Sequence, residues 1–328
     1  MAKTKERPRG QHVARVALSD RPVRVRIETP AGILQLHADS KTSPLGWWGA
    51  DRRPVAVIPN AFALPSGPIE SGGTCPQLSP NACRACYAAR LEGGPFAAFS
   101  EMTSRNLATL ERLKEYGQRA VVDALLQLVD RSTALQLGAG VASPSFRWMS
   151  SGDLFSPWFA SAVRDVQRER PDVTFWGYTR SVRYLTYLFG RSSLPNNARW
   201  FVSVDADNVA NHARAAERYG LPVAYLAKDR AELDLLRAVV DSVRGERETG
   251  LICPAGGVWS RDGRGPSYVA GKDGKRETLT RGQVVGACAA CAACLPTKAA
   301  RDIAFIQHGG QASGDTWQRL AIRRGVQA

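Results

Sequence analysis

Hydrophobic and polar positions recur along this chain in two rhythms. VRVRIET (23–29) and ILQLHA (33–38) alternate apolar with polar residues on either side of a Pro-Ala-Gly turn, the pattern of a β-hairpin. VAVIPNAF (55–62) is apolar enough for a short buried strand and leads into a Gly/Pro-rich loop. The rhythm then changes to helical spacing. Phe99, Met102, Leu107, Leu110 and Leu113 form one stripe, and Val121, Val122, Leu125, Leu126 and Val129 a second.

From residue 145 strands and helices alternate. FRWMS (146–150), VTFWGYT (173–179), RWFVSV (199–204), VAYLA (223–227), GLIC (250–253) and IAFIQHG (303–309) read as strands. Ser156-Pro157 supplies an N-cap and first-turn proline for one intervening helix, and Asp229 caps another carrying Leu233, Leu236, Val239, Val240 and Val243. Repeated βα units imply a parallel sheet with right-handed crossovers, open or closed into a barrel. The expected fold is α/β, a partial (β/α) barrel of parallel strands with an N-terminal β-hairpin extension. In such sheets chemistry gathers at the C-terminal ends of the strands. The loop after 62, Ser151-Gly152-Asp153, Thr179-Arg180, Asp205 and Cys253 all fall there.

Charge sharpens the picture. The 328 residues carry a formal net charge of +14, which suits a polyanionic partner, although only eight of the 44 basic residues are Lys and a GC-rich coding sequence has the same effect. Residues 1–26 concentrate Lys3, Lys5, Arg7, Arg9, Arg15, Arg21, Arg24 and Arg26 against Glu6 and Asp20, an arm suited to phosphates or simply a solvated tail. No apolar run approaches the roughly eighteen residues of a membrane span, and the basic N-terminus lacks a secretory h-region. A cytoplasmic location and no membrane partner are expected, where thiols stay reduced and clustered cysteines point to metal or redox chemistry.

The seven cysteines form two groups. Cys75, Cys83 and Cys86 are spaced C-x7-C-x2-C and followed by Tyr87; Cys288, Cys291 and Cys294 are spaced C-x2-C-x2-C, with Cys253-Pro254 as a distant fourth. The second pattern fits four corners of a [4Fe–4S] cluster. Three thiolates alone hold three irons of another and leave the fourth open to a ligand. Zinc is the alternative at either site.

A strand, a three-cysteine loop ending C-x2-C-Tyr-Ala and then a helix resemble the start of radical S-adenosylmethionine (SAM) enzymes. TCPQLSPNACRACYA (74–88), SGDLF (151–155) and the late cysteine-rich stretch resemble more closely the phage gene product 88 family and the related phage gene product 37/68 proteins, across residues 70 to 295. The radical-SAM-like resemblance implies that Cys75, Cys83 and Cys86 ligate a cluster whose open iron takes the amino and carboxylate groups of SAM. Tyr87 would lie against the cofactor, Ser151, Gly152 and Asp153 would receive the methionine ammonium, and Ser203 and Asp205 would hold the ribose or methionine carboxylate. The chain departs from the superfamily's C-x3-C-x2-C spacing, and Ala85 stands where an aromatic usually precedes the last cysteine.

Two readings follow. One is an iron–sulfur enzyme of phage type, cleaving SAM reductively to modify a nucleic acid or nucleotide, with a ferredoxin or flavodoxin as reductant and the host cytoplasm as its location. The other is a non-catalytic or redox-sensing iron–sulfur protein that binds nucleic acid; a zinc-stabilised adaptor is a weaker third. Arg180 and Arg183 are further anion-binding candidates, Trp47-Trp48 beside Arg52-Arg53 a base-stacking candidate, and residues 263–277 an exposed basic hairpin. The expected organisation is a basic arm and hairpin (1–62), a core with the three-cysteine loop (63–250), an auxiliary cluster region (251–310) and a basic tail (311–328).

Overall fold

The computed structural model describes residues 23–38, 45–48, 53–94, 97–138, 141–191, 193–245, 251–253, 268–270, 276–278, 293–297, 299–306 and 316–326. The basic arm through residue 22, Arg52, Cys288 and Cys291 lie outside them, as do the side chains of Trp47 and Trp48.

β1 (Arg26–Thr29) and β2 (Gly32–Gln35) form the expected hairpin, with Ile27 opposite Leu34 and both buried. The next strand divides in two. β3 (Leu45–Trp48) pairs antiparallel with β4 (Arg53–Val57). Residues 60–64 then run beside β5 (Ser145–Trp148) and the turn after it, through Arg147 N–H to Asn60 O, Phe62 N–H to Arg147 O, Ser150 N–H to Phe62 O and Leu64 N–H to Ser151 O, all 2.9–3.0 Å. Between these segments lie α1 (Tyr87–Gly93), α2 (Ala97–Glu115) and α3 (Gln118–Gly138); the last two carry the two helical stripes.

Beyond β5 the alternation continues with α4 (Pro157–Glu169), β6 (Thr174–Thr179), α5 (Leu185–Phe189), β7 (Ala198–Val204), α6 (Val209–Tyr219), β8 (Val223–Ala227) and α7 (Arg230–Arg244). Both sequence-read caps form: Ser156 Oγ accepts from Phe159 N–H at 3.3 Å and Asp229 Oδ1 from Glu232 N–H at 2.9 Å. β9 (Leu251–Ile252) follows, then β10 (Tyr268–Ala270) and β11 (Arg276–Thr278), which pair antiparallel within the expected basic hairpin.

β12 (Ile303–Ile306) completes a six-stranded parallel sheet in the order β5-β6-β7-β8-β12-β9. From β5 to β8 each strand lies beside its predecessor. β12 inserts between β8 and β9, seated by Asp302, which accepts from Val223 N–H at 2.7 Å and pairs with buried Arg244 at 3.2 Å. β9 and β12, both within the expected auxiliary region, therefore share the sheet with the core strands. The expected tail also contains a helix, α8 (Thr316–Arg323), with Leu320 and Ala321 buried.

The two sheet faces differ in chemistry, as period-two alternation demands. Phe146, Trp148, Phe175, Trp200, Val202 and Val223 pack against apolar residues of α3, α4, α5, α6 and α7 in the main core. Each such side chain contributes about 1.5–3 kcal/mol when fully buried. Gln167 of α4, with its amide oxygen toward the sheet, accepts from the indoles of Trp148 and Trp200 at 3.2 and 3.1 Å, so both buried N–H groups are satisfied. The other face carries Arg147, Trp176, Tyr178 and Phe201, with the Arg147 guanidinium 5.0 Å from the Trp176 ring centre. Among the described residues no helix is long and apolar enough to cross a membrane.

Candidate functional site

The three-cysteine loop is pinned to loops that leave the strands. Cys75 N–H donates to Gly67 O at 2.8 Å, and Thr74 Oγ donates to Pro65 O at 2.8 Å. A 3₁₀ turn (Ala82–Ala85) spaces Cys83 from Cys86, whose N–H returns to Cys83 O at 3.1 Å. Across the site, Asp207 accepts from Asn81 N–H at 2.8 Å and Asn81 Nδ2 at 2.6 Å, while Ser79 Oγ donates to Asp205 Oδ2 at 2.8 Å. The loop after β7 thereby holds the middle of the cysteine loop.

The Ser-Gly-Asp turn after β5 packs under the same loop. Its approach is strained: Met149, buried and not glycine, has φ +50°. Gly152 has φ +75°, and a Cβ there would stand 2.3 Å from Thr74 Oγ, so the position combines left-handed backbone with close approach. Ser151 Oγ donates to buried Glu92 at 2.9 Å. Asp153 Oδ1 accepts from Leu154 N–H and Thr179 Oγ at 2.7 and 2.6 Å, and Oδ2 from Arg180 N–H at 2.8 Å. Asp153 therefore ties β5's loop to β6's loop, and the helix cap beyond it is Ser156.

Arg180 is the charge around which these groups are arranged. Its Nε donates to Asp205 Oδ2 at 3.0 Å, and its field also acts on Cys83, Cys86 and Asp153. Burial opposes the guanidinium charge, but the carboxylates of Asp205 and Asp153 offset it and keep the group protonated. Asp205 Oδ2 accepts from Ser79, Arg180 and Asn208, and Oδ1 from Asp207 N–H, so this carboxylate is fully engaged as a brace. Beneath it His212 Nδ1 lies 2.8 Å from Ser203 O, a pure acceptor, so Nδ1 carries the proton; burial lowers the imidazole below its usual pKa. Ser203 itself is buried on β7, two residues before Asp205.

Burial raises all three thiols. Cys75 is pushed well up by burial, then by Asp153 and Cys86; Cys83 is raised by burial against the opposing field of Arg180; Cys86 reaches about 11, chiefly through burial. None of the three is in a disulfide. Tyr87 is exposed overall, yet its hydroxyl donates to Ser150 O and accepts from Arg147 at 3.2 Å, while His37 Nε2 lies 2.5 Å from Ser150 Oγ. The structure thus brings together Cys75, Cys83, Cys86, Asp153, Asp205 and Arg180, with Tyr87, Ser151 and Gly152 at the edges. Arg183 instead braces the loop, donating to Pro76 O at 2.5 Å and Gln77 Oε1 at 3.0 Å.

Cys253 and Cys294, the described members of the second group, lie on the sheet face opposite the main core. Cys253 N–H donates to Ala304 O at 2.8 Å, and Cys253 and Cys294 meet in a small apolar cluster with Phe201, Ala224 and Ile303. Tyr178 Oη is 2.9 Å from Cys294 Sγ, and Arg199 donates to the carbonyls of Ala293 and Leu295 at 3.3 and 2.6 Å.

Among the described residues no three His, Cys, Asp or Glu side chains converge on the coordination sphere of a single ion. The donor chemistry at 75–86 fits a cluster. Three disulfide-free thiols, Cys83 buried and Cys75 and Cys86 half-buried, whose surroundings disfavour the thiolate are the groups that a cationic iron–sulfur core would stabilise. The residues missing from the sequence-based set are Ser79, Glu92, Asn208, His212 and Arg324, all isolated polar residues whose partners lie on other elements. Only Asp205-x-x-Asn208, a local turn in which Asn208 Oδ1 accepts from Asp205 N–H at 3.0 Å, left a legible signal.

Fold and site define an α/β protein whose cysteine-bearing loop is fastened across the C-terminal ends of a parallel sheet. The chain belongs to the Gene product 88 family, whose model matches residues 35–297. It is similar to the Gene 88 protein of Mycobacterium phage L5, 34% identical over 186 residues, or 53% of this chain and 70% of the relative. The Gene 88 protein of Mycobacterium phage D29 is 31% identical over 182 residues, or 53% of this chain and 68% of that protein. These relatives are bacteriophage proteins. No solved structure matches.

Proposed function

We propose that this chain is an iron–sulfur protein of phage type with a radical-SAM-like core, its sheet curled into a partial barrel, acting by reductive SAM cleavage on a nucleic acid or nucleotide. The observation that carries the reading is the meeting of the three thiols of Cys75, Cys83 and Cys86 with Asp153, Arg180 and the Ser-Gly-Asp turn at the ends of successive parallel strands. The one-neighbour advance from β5 to β8 supports the curl, because right-handed βα units wound that way keep their helices on one face.

In this reading Cys75, Cys83 and Cys86 hold a [4Fe–4S] cluster, which when bound supplies a low-potential electron and an open iron for SAM. The chain's own residues do the remaining work. Asp153 Oδ2, with one donor at present, accepts from the methionine ammonium. Gly152 admits backbone to close approach, Tyr87 flanks the cofactor, and Ser203 and Asp205 line the ribose side, with Asp205 acting mainly through Arg180. Cys253, Cys288, Cys291 and Cys294 hold a second, closed cluster, and a ferredoxin or flavodoxin is the reductant.

A second reading, favoured by the net charge of +14, is a non-catalytic or redox-sensing iron–sulfur protein that binds nucleic acid through its basic arm. Anaerobic purification with iron, sulfide and zinc analysis, then reduction with SAM present, separates the two. About eight irons and release of 5′-deoxyadenosine support the enzyme. Iron with neither SAM binding nor cleavage removes it in favour of the second reading, and zinc alone removes both.

A further inference from the structure

We propose that helix α8 is a latch that completes the cysteine loop, and that Arg324 is the positioning residue through which it acts. The functional meaning of the latch rests on the loop being the cofactor site; its structural basis does not.

The latch engages both ends of the loop. Trp317 lies over Gly67, the residue whose carbonyl receives Cys75 N–H; a Cβ at Gly67 would stand 2.6 Å from the indole. Arg324 donates to Ser71 O at 3.1 Å, and Arg323 to Glu92 O at 2.8 Å. Arg324 also forms an ion pair with Glu92 in which the two side chains are 4% and 0% exposed.

Glu92 is the hub. Its Oε1 accepts from Ser66 N–H at 2.8 Å and from Ser151 Oγ at 2.9 Å. One carboxylate therefore fastens the chain entering the cysteine loop, the helix leaving it and the Ser-Gly-Asp turn. A buried carboxylate without a counter-charge is strongly unfavourable, so removing Arg324 displaces Glu92 toward solvent. The Ser66 and Ser151 bonds then weaken, and with them the positions of Cys75 and Asp153. The family match ends at residue 297, so helix α8 and Arg324 lie outside the segment by which the family is recognised, while Glu92 lies within it.

The test uses the full-length, metal-free chain and timed alkylation with iodoacetamide, with each cysteine followed by peptide mass spectrometry. Arg324→Met is expected to speed labelling of Cys75, Cys83 and Cys86 roughly tenfold through local opening, with Cys253 and Cys294 unchanged. Arg324→Lys should restore part of the protection. Leu320→Ala, compared at matched distance below its melting temperature, reports on loosened packing with the ion pair kept. Unchanged labelling in a folded Arg324→Met protein overturns the proposal, as does a uniform rise at all cysteines equal to that in Leu320→Ala. If Arg324→Met does not fold, Arg324→Met with Glu92→Gln removes both charges and keeps an amide oxygen as acceptor. Protection recovered in that double variant supports the latch, and a double variant that stays unfolded or unprotected overturns it. A wild-type chain that takes up no iron sinks the proposed function while the labelling comparison still decides the latch.

Discussion

The two faces of the six-stranded sheet are built from the same strands but by different rules. On the helix side, Phe146, Trp148, Phe175 and Trp200 fill volume, and their two indole N–H groups are met by one glutamine. On the other side, Arg147 stacks on Trp176, Tyr178 meets Cys294, and Arg199 reaches the carbonyls beside it. The first face is held by area removed from water and the second by directional contacts. The strand ends, where Asp153, Arg180 and Asp205 stand, follow the second rule more strictly still. Stability and chemistry are thus assigned to opposite faces and edges of one sheet.

That contrast is tested most strongly by Phe175→Ala, which should cost about 3–5 kcal/mol in chemical denaturation, the usual loss for emptying an aromatic core position. Asp205→Ala is the matching polar deletion. It strands the Arg180 guanidinium and unties Ser79, and is expected to cost about 3 kcal/mol while raising alkylation of Cys83 above that of Cys253. A loss under about 1 kcal/mol would show that the strand ends are solvated rather than braced. Gly152→Ala adds a left-handed penalty of about 1–2 kcal/mol to its collision with Thr74 and should loosen the cysteine loop with the main core intact, visible in hydrogen exchange.

The pH dependence of the metal-free chain is a smaller effect with a defined sign. The unfolded chain sheds its thiol protons near pH 9, whereas burial keeps the Cys86 proton to about 11. The folded state holds more protons across that interval, so stability is fully present below pH 9 and falls as pH rises toward 11. Cys86→Ser should flatten part of the slope in urea denaturation. Smallest is Tyr178→Phe, which removes the hydroxyl that faces Cys294 and should change stability by about 1 kcal/mol or less. Its signature is altered Cys294 reactivity, and a loss like that of Phe175→Ala would erase the distinction between the faces.

The helix-facing core was legible because burial there follows from period. Phe175 and Trp200 announce themselves by alternation, and Leu233, Leu236 and Val240 by helical spacing. The strand ends were legible in kind, since βα alternation places the loops carrying Cys75, Asp153 and Asp205 on one rim. What the sequence did not disclose were pairings between distant single residues. Glu92 reads as an ordinary helical carboxylate, and Arg324 as one more surface cation, until the fold places them together across 232 positions. The position of β12 was equally silent, because its pattern specifies a buried parallel strand and not its neighbours. Asp205 was recognised as important, but the three donors on one of its oxygens make it a brace before anything else.

The place of β12 has a consequence for synthesis. β9 pairs only with β12 among the described strands, through two residues, and β12 emerges some fifty residues later. Until that strand has left the ribosome, β9 has no partner and Cys253 has no backbone carbonyl at Ala304 to receive its N–H. At translation rates of about 5–20 residues per second, the nascent chain holds an unfinished sheet edge for several seconds, with Cys253 made at the start of that interval and Cys294 only shortly before β12. The backbone seat of Cys253 is therefore completed only with the last strand of the sheet, and its thiol stays uncovered by that strand for the whole interval.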